Sequence, residues 1–525
     1  MSEPHPYTIL SGLQAPEYRP GASWLRDGGR LALNVAKHTR NVIAMWRAFD
    51  AFLDRGVGSP GPRGASPTLV VVQPWQGSAM AWQMVATALL LWRRDANVIV
   101  VWDDSVMNWR DVGEYVEHWC IKRILARLPM RTVKLGDYAD RSTTLDVDPH
   151  VARLARLNAI KVYQGEAWSA KQERYAQQIR RPLKRAMTAA DALFGELAPK
   201  LVVTAGGIFS TSGVHPIVGA ARGIRVASLD PSPTINLVSV DGIAAHMMDV
   251  ARAVELLGPL PAWAKDLAVA DWQRRTKGTD QFRSQVVQRS SSEGAARDGV
   301  LIPLNQSHDT AALGRSRLFE GQDDWMMQTV AWLLENTRAN ITLRQHPADR
   351  MIAHGDDYVG RFGAQLRDNP RVRFIAATDA VNTYDLIARS QVVLPYVSTV
   401  GIESVTMGTP VVQEANAYYR DQGFVRTGDT KPEYFRAIAA VLADAQPVSD
   451  EHRERAWRAY YLSQICSFVP TTFTAYFTDF AKWATGTLDE VAAMPDVQDL
   501  VDAVERGIPL CYRRHQRLAR ERQQA

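Results

Sequence analysis

The sequence predicts an α/β protein with two doubly wound parallel sheets and a helical C-terminal segment. Three observations carry this expectation. Strand-length apolar runs alternate with helical patterns from Thr68 to Leu229, and a second alternating series runs from Val300 to Val412. Between Gln391 and Phe424, QVVLPYVSTVGIESVTMGTPVVQEANAYYRDQGF reads as strand, turn, helix and strand in immediate succession. At 525 residues the chain exceeds one ordinary core, so a prior of about 100 to 200 residues per domain gives two large domains plus additions.

The elements follow in order. The preface, residues 1–66, holds one helix (Leu31 to Leu53) and then the breaker-rich GVGSPGPRGASP, which marks a boundary. A first Rossmann-like domain, 67–240, takes strands at Thr68 to Gln73, Asn97 to Trp102, Arg131 to Leu135, Lys200 to Thr204 and Ile224 to Leu229, with a strong helix at Ala79 to Arg93. A connecting region, 241–298, breaks the rhythm and ends in RSSSEGAARDG, which reads as a mobile loop or interdomain connection. The second Rossmann-like domain, 299–446, has strands at Val300 to Leu304, Ile341 to Gln345, Val372 to Ile375, Val392 to Pro395 and Pro410 to Val412. Its helices are Asp323 to Asn336, Asn382 to Ala388, Val400 to Met407 and Pro432 to Asp444. The remainder, 447–525, is helical from Glu451 to Lys482 and ends in a basic tail whose helices pack back across the first domain.

Composition narrows the class. With 46% apolar and 22% charged residues the chain is globular rather than disordered. The three cysteines, Cys120, Cys466 and Cys511, form no Cys-x-x-Cys pair, so neither a metal cluster nor a disulfide framework is expected, and a cytoplasmic setting is. The start, MSEPHPYTILSG, lacks an export pattern, and the apolar runs are too short to span a bilayer. A net charge of +5 is modest, but Arg513, Arg514, Arg517, Arg520 and Arg522 cluster in the tail, which can touch an anionic membrane surface peripherally or serve as a solvated helix end. No aromatic side chains interleave with this cluster, which argues against nucleic acid as a partner.

Two doubly wound domains facing each other bind ligands in the crevice beyond their strand ends. Four loops of the second domain fall there. LNQSHDTAALGR places Asn305, Gln306, Ser307 and His308 directly after a strand, where Ser307 or Asp309 can equally cap the next helix. LRQHPADR clusters Arg344, His346 and Arg350, and Pro347 biases His346 toward an extended backbone that aims its imidazole. The Ser398–Thr399 turn opens a helix at Val400–Gly401, whose first N–H groups and dipole favour an anion such as a nucleotide phosphate. Glu403, one turn later, suits a ribose hydroxyl. In ANAYYRDQGF, Asn416 and Arg420 follow the next strand, and arginine can hold a phosphate or carboxylate with two parallel bonds.

The pattern of His-Pro after one strand, Ser-Thr-x-Gly-x-Glu after a later one, then Gly-x-Pro-Val-Val, Tyr-Arg-x-x-Gly-Phe and Glu433-Tyr434-Phe435 resembles bacterial capsule and surface-polysaccharide biosynthesis proteins. These are glycosyltransferases of the two-Rossmann GT-B fold, and the family includes transferases of Kdo, an acidic sugar, from its CMP-activated form. The His-Pro and serine/threonine pair is also similar to the CMP-binding motifs of bacterial sialyltransferases. PWQGSAMAW, the strand ending in Trp102-Asp103-Asp104 and TAGGIFSTSG are similar to segments of the same broad family, so the resemblance covers roughly residues 68 to 440.

The resemblance implies that His346 and the Ser398–Thr399 turn hold the donor phosphate while Glu403 and nearby backbone meet the nucleoside. The donor-side set is then Asn305, Ser307, Arg344, His346, Ser398, Thr399, Gly401, Glu403, Asn416 and Arg420. A protonated imidazole and a helix N-terminus can stabilise the leaving phosphate without a metal or other cofactor, the nucleotide sugar being a co-substrate. An acceptor hydroxyl of a glycan or glycolipid needs a base, for which Asp104 and Asp103 rank ahead of Asp230. Retaining and inverting outcomes both remain open. Rival readings are a UDP- or GDP-sugar transferase, a glycerol-phosphate polymer synthase or epimerase of the same fold, and a non-catalytic scaffold. Asp146-Val147-Asp148 has the letters of a metal-binding Asp-x-Asp, but no apolar strand precedes it, and it reads as a helix-capping turn.

Overall fold

The computed structural model describes residues 24–74, 80–105, 112–231, 235–279, 297–351, 358, 360–362, 369–444, 446–470 and 485–524. Two compact units result: one holds residues 1–159, 169–249 and 467–525, the other 160–168 and 250–466.

The first unit is organised on a seven-stranded sheet. Its strands are β1 (Thr68–Val72), β2 (Val98–Trp102), β3 (Arg131–Lys134), β4 (Leu201–Ala205), β5 (Val226–Pro231) and β6 (Ile235–Ser239), joined by the late strand β13 (Val469–Pro470). The order is β13-β6-β5-β4-β1-β2-β3, with β6 antiparallel to β5, β13 antiparallel to β6 and the remaining pairs parallel. β1, β2 and β4 are buried along their whole length because helices cover both faces, which is why they read as unbroken apolar runs. Val70, Val72, Val100 and Val203 enter one core with helices Trp24–Asp54, Met80–Trp92, Val112–Leu125 and Pro495–Arg506. Leu69, Val71, Ile99 and Val202 enter the other with Asp148–Tyr163, Ala170–Leu197 and Val214–Arg222.

Several expected elements change in this unit. The glycine-rich boundary segment lies against the turn after Trp92: Gly61 N–H donates to the Trp92 carbonyl at 3.2 Å and Gly64 N–H to Asp95 Oδ1 at 2.8 Å. A Cβ on Gly61 would sit 2.2 Å from the Arg94 carbonyl oxygen, so glycine here permits a close approach. Asp148 is the first residue of its helix and pairs with Lys184 at 2.7 Å. Most of the tail's arginines are also engaged. Arg513 meets Asp502 at 2.7 Å, Arg517 meets Asp499 at 2.6 Å and Glu521 at 3.0 Å, and Arg514 donates to the Phe468 carbonyl. Asp499 and Asp502 lie three apart on helix Pro495–Arg506, so they present carboxylates to the arginine face of helix Leu510–Gln524. The tail is thereby a packed helix rather than a free cationic cluster.

The second unit carries β7 (Val300–Pro303), β8 (Ile341–Arg344), β9 (Val372–Ile375) and β10 (Val392–Val393) as a parallel sheet ordered β10-β7-β8-β9. A parallel bridge from Val393 to Val411 leads on to β11 (Val412–Gln413), which pairs with β12 (Arg426–Thr427). Helices Ala262–Thr276 and Asp450–Tyr460 belong to this unit, and the latter runs into a π-helical turn, Tyr461–Cys466, instead of continuing to Lys482. Residues 280–296 and 471–484, covering most of the polar RSSSEGAARDG stretch and the rest of the expected helix, lie outside the described residues. Among the described residues no helix is long and apolar enough to cross a membrane.

Helix Gln322–Asn336 opens without a cap of its own at Gly321. The Glu166 carboxylate takes that place, accepting from Gln322 N–H at 3.1 Å and Asp323 N–H at 2.9 Å. A carboxylate satisfies orphan donors there and complements the helix dipole. Glu166→Ala should therefore lower the unfolding free energy by about 1 to 2 kcal/mol, read as a fall in the urea midpoint. An unchanged midpoint would mean that the cap contributes nothing.

Candidate functional site

Strand order locates the site in the second unit. The chain goes from β7 outward to β8 and β9, then returns to place β10 on the other side of β7, so neighbouring crossovers diverge between β7 and β10. Such reversal points open a crevice at the carboxyl ends of the strands. The turns after β7, β8 and β10 all lie at that edge.

The turn after β7 is fixed by Asn305, which is 8% exposed. Its Oδ1 accepts from Val397 N–H at 3.2 Å, stitching this turn to the one after β10. Gln322 brackets its backbone, accepting from Asn305 N–H and donating to its carbonyl, both at 2.9 Å. Ser307 is buried in the same turn, and Gln306 Nε2 donates to Asp349 Oδ1 at 2.9 Å. His308 follows. Burial, helped by the Lys161 charge, pushes its imidazole down to about 4, against the opposing pull of Asp309.

After β8, His346 leads through Pro347 into a short 3-10 turn. Its Nδ1 accepts from Ala348 N–H at 3.2 Å. An acceptor nitrogen must carry a lone pair, so the neutral ring bears its proton on Nε2 and can donate there. Burial lowers the affinity of this ring for a second proton; Asp349 and Asp309 oppose, while Arg344 and Arg275 reinforce the lowering. In the unliganded protein burial thus favours the neutral ring, which can donate from Nε2. A phosphate at Nε2 would favour the charged form again. Asp349, held by Gln306 and by Gln345 at 3.1 Å, is itself raised by burial.

The turn after β10 carries Ser398 and Thr399, both half-buried. Ser398 Oγ accepts from Val400 N–H at 3.3 Å, leaving the hydroxyl proton available, and its carbonyl accepts from Tyr419 Oη at 2.7 Å. Gly401 is required by that tyrosine: a Cβ would stand 2.2 Å from the buried Tyr419 hydroxyl. The helix here, Val400–Thr406, has only seven residues, so its dipole is a minor contribution beside the side-chain donors. β8 and β10 flank β7 at two strand spacings, about 10 Å. The turns that bear His346 and Ser398–Thr399 thus lie on opposite sides of β7 at one sheet edge.

Other predicted residues hold the frame of the site. Arg344 is 1% exposed and donates to the carbonyls of Ala376 and Val381 beyond β9. Arg420 is tied to Asp421, Asp429 and the Gly428 carbonyl, and Asn416 is bound through its backbone to Arg315. Glu403, also 1% exposed, accepts from Tyr384 Oη at 3.2 Å and pairs with Arg275 Nε at 2.9 Å. Arg275, from helix Ala262–Thr276, is a site component that sequence reading passed over, as are Lys161, Glu166 and Tyr384. Their signal was weak because each comes from outside the four strand-end loops.

In the first unit the strand ends form a buried polar cluster. Asp103, 1% exposed, accepts from Thr211 Oγ1, from Ser105 N–H at 3.0 Å and from the Ser105 hydroxyl. Asp104 is half-buried and caps Gly136 N–H at 2.7 Å. Asp230 is half-buried at the end of β5. His215 is fully buried beneath this cluster, stacked on Phe194 at 6.1 Å, and neither ring nitrogen has a hydrogen-bond partner among the described residues. Residues 75–79, within PWQGSAMAW, lie outside the described residues.

Residues 265–449 match the capsule polysaccharide biosynthesis protein family. The match lies within the second unit and covers about a third of the chain, which is similar to that family there. The matched segment contains every donor-side residue named above together with Arg275, and the match agrees with the resemblance carried by the His-Pro and Ser-Thr motifs. No curated protein matches the chain. Among solved structures, KpsC of Thermosulfurimonas dismutans, a beta Kdo 2,4 transferase, is 16% identical over 50% of this chain and 87% of its own, with a TM-score of 0.33. UDP-GlcNAc 2-epimerase of Neisseria meningitidis is 9% identical over 75% and 95%, with a TM-score of 0.24. The Streptomyces glycosyltransferase SsfS6, complexed with thymidine diphosphate, is 12% identical over 76% and 96%, with a TM-score of 0.22. Likenesses with TM-scores this low carry no argument about this chain.

Two outcomes follow from this geometry. Burial holds His118, His215 and His308 at about 4, whereas an unfolded histidine titrates near 6.5, so the unfolded chain takes up protons first as pH falls. Stability should be full above pH 6.5 and be lost between about 6.5 and 4. For the fully buried His215 alone the loss is on the order of 3 kcal/mol. Urea midpoints across that window should therefore fall less steeply for His215→Gln than for the wild type, and equal slopes would show that His215 does not titrate differently on unfolding. Separately, Gly401→Ala should destabilise by about 1 to 3 kcal/mol, because buried Tyr419 must move. A thermal melt indistinguishable from wild type would show that the turn absorbs the methyl group without displacing Tyr419.

Proposed function

We propose that this protein is a glycosyltransferase of capsule or surface-polysaccharide assembly, moving a sugar from a nucleotide-activated donor to a glycan or glycolipid acceptor. The observation that carries the reading is that the turn bearing His346 after β8 and the turn bearing Ser398 and Thr399 after β10 lie at the carboxyl edge of one parallel sheet, on either side of β7 at its reversal point. Arg344 lies close enough to influence His346 and Lys161 to influence His308, while Arg275 is paired with Glu403, so positive groups stand near the place a phosphate would take together with Asp309 and Asp349. The nucleotide phosphate gains charge as its bond to the sugar breaks, and donors fixed in advance stabilise that charge without reorganising. Imidazole, hydroxyls and guanidinium together supply this role, and we assign transfer without a divalent ion. The favoured donor is a CMP-linked acidic sugar such as Kdo, on the likeness of the His-Pro and Ser-Thr motifs to CMP-binding motifs.

On the acceptor side Asp104 is preferred as the base. It keeps exposed surface, whereas Asp103 is buried and engaged by Thr211 and Ser105. A transferase of another nucleotide sugar or of glycerol phosphate, and an epimerase, would share the phosphate site and differ in product; a scaffold would need no such site.

A thermal-shift panel tests donor binding directly. A cytidine nucleotide at about 100 times its dissociation constant should add roughly 2.7 kcal/mol of stability. Transfer by His346→Ala, assayed in excess chelator with an unchanged melting temperature of the free protein, should drop by about 2 to 4 kcal/mol in transition-state stabilisation. No protection by any nucleotide would overturn the reading, and undiminished transfer would return His346 to a structural role. Activity lost to chelator and restored by magnesium would overturn metal independence.

A further inference from the structure

Helix Val112–Leu125 turns an unusual face to solvent. Tyr115 is 57% exposed and Trp119 43% exposed, four residues apart, and Lys122 and Arg123 continue the same face. Trp46, from helix Trp24–Asp54, extends it, its ring 5.4 Å from that of Trp119 in an edge-to-face contact. The Arg123 guanidinium lies 4.8 Å from the Trp119 ring centre and 5.8 Å from that of Trp46. Exposed Arg47 follows Trp46 in the chain. The nearby acids whose side chains are described are partnered: Glu117 is buried against His38 at 3.2 Å, and Asp50 and Asp54 both bind Arg127. The patch is therefore aromatic and cationic with no free carboxylate among the described residues from Tyr115 to Arg127.

We propose that this patch seats the protein on an anionic lipid bilayer. Tryptophan and tyrosine favour the headgroup level, where an apolar ring and a polar tip are both satisfied, and lysine and arginine beside them meet lipid phosphates. A protein partner is a poorer fit because interface centres are depleted in lysine, which here shares the face with the rings. A single nucleic-acid strand needs open ring faces for stacking. Arg123 and the edge-to-face contact already occupy faces of both tryptophans. This surface is separate from the C-terminal arginines, most of which are engaged within the protein, and it does not depend on the proposed transfer reaction.

Co-sedimentation of the full chain with vesicles of phosphatidylcholine containing phosphatidylglycerol tests the proposal. The wild type should bind at low salt and release as ionic strength rises, since the Debye length shortens to about 10 Å at 0.1 M. Tyr115→Ser/Trp119→Ser, with an unchanged melting temperature, should need about tenfold more lipid for half-saturation. Arg520→Gln/Arg522→Gln, the control in the tail, should bind as the wild type does. A variant that fails to fold is replaced by Lys122→Gln/Arg47→Gln, for which a loss of about threefold or more is expected. The proposal is overturned by wild-type protein that stays in solution, by aromatic or basic variants that bind as well as wild type, or by loss of binding in the tail control alone. Tight binding of a single-stranded oligonucleotide that the same aromatic substitutions abolish would assign the patch to nucleic acid instead.

Discussion

Everything at the candidate site depends on one topological constraint: successive parallel strands need crossovers, and the crossovers diverge where strand order reverses. In the second unit that point lies between β7 and β10, and Asn305 bridges it with a hydrogen bond to Val397 N–H. The bridge ties the turn that bears Ser307 and His308 to the turn that bears Ser398 and Thr399. Gln322 completes the arrangement by bonding both backbone groups of Asn305. A polar side chain buried here is stabilised by such hydrogen bonds, and the same pairing fixes the spacing of the two turns.

The charge balance of the site follows from how its arginines are held. Arg344 and Arg420 are buried with carbonyl or carboxylate partners, so they set loop geometry while leaving a positive field behind them. Glu403 and Arg275 neutralise each other beside Tyr384. His346 is left as a neutral ring with a fixed tautomer, ready to donate and able to take up charge when an anion arrives. In the proposed reading such an arrangement accommodates an anionic phosphate without presenting unpaired buried charge in its absence, which would be costly.

The first unit uses the same architecture differently. Its strand-end acids split into Asp103, enclosed by Thr211 and Ser105, and Asp104, which caps Gly136 and keeps exposed surface. The late strand β13 and the helices after residue 485 return to this unit and close one of its two cores. The arginine tail is largely engaged in that return, whereas Lys122 and Arg123 on helix Val112–Leu125 stay exposed beside Tyr115 and Trp119.

The sequence by itself determined the local and periodic features: which runs are buried parallel strands, where their helices lie, and that His346 and Ser398–Thr399 follow strands. These are legible because a strand covered on both faces must be apolar throughout, and its polar residues are forced to its ends. β6 and β13 were not read, since an antiparallel edge and a pairing between residues more than 200 positions apart leave no local pattern. The tertiary structure alone decided that Glu166 caps a helix well over 100 residues later, that Arg275 pairs with Glu403, and that five clustered arginines are largely engaged. Those outcomes depend on which charges meet after distant segments pack, and residue spacing along a chain carries no record of that.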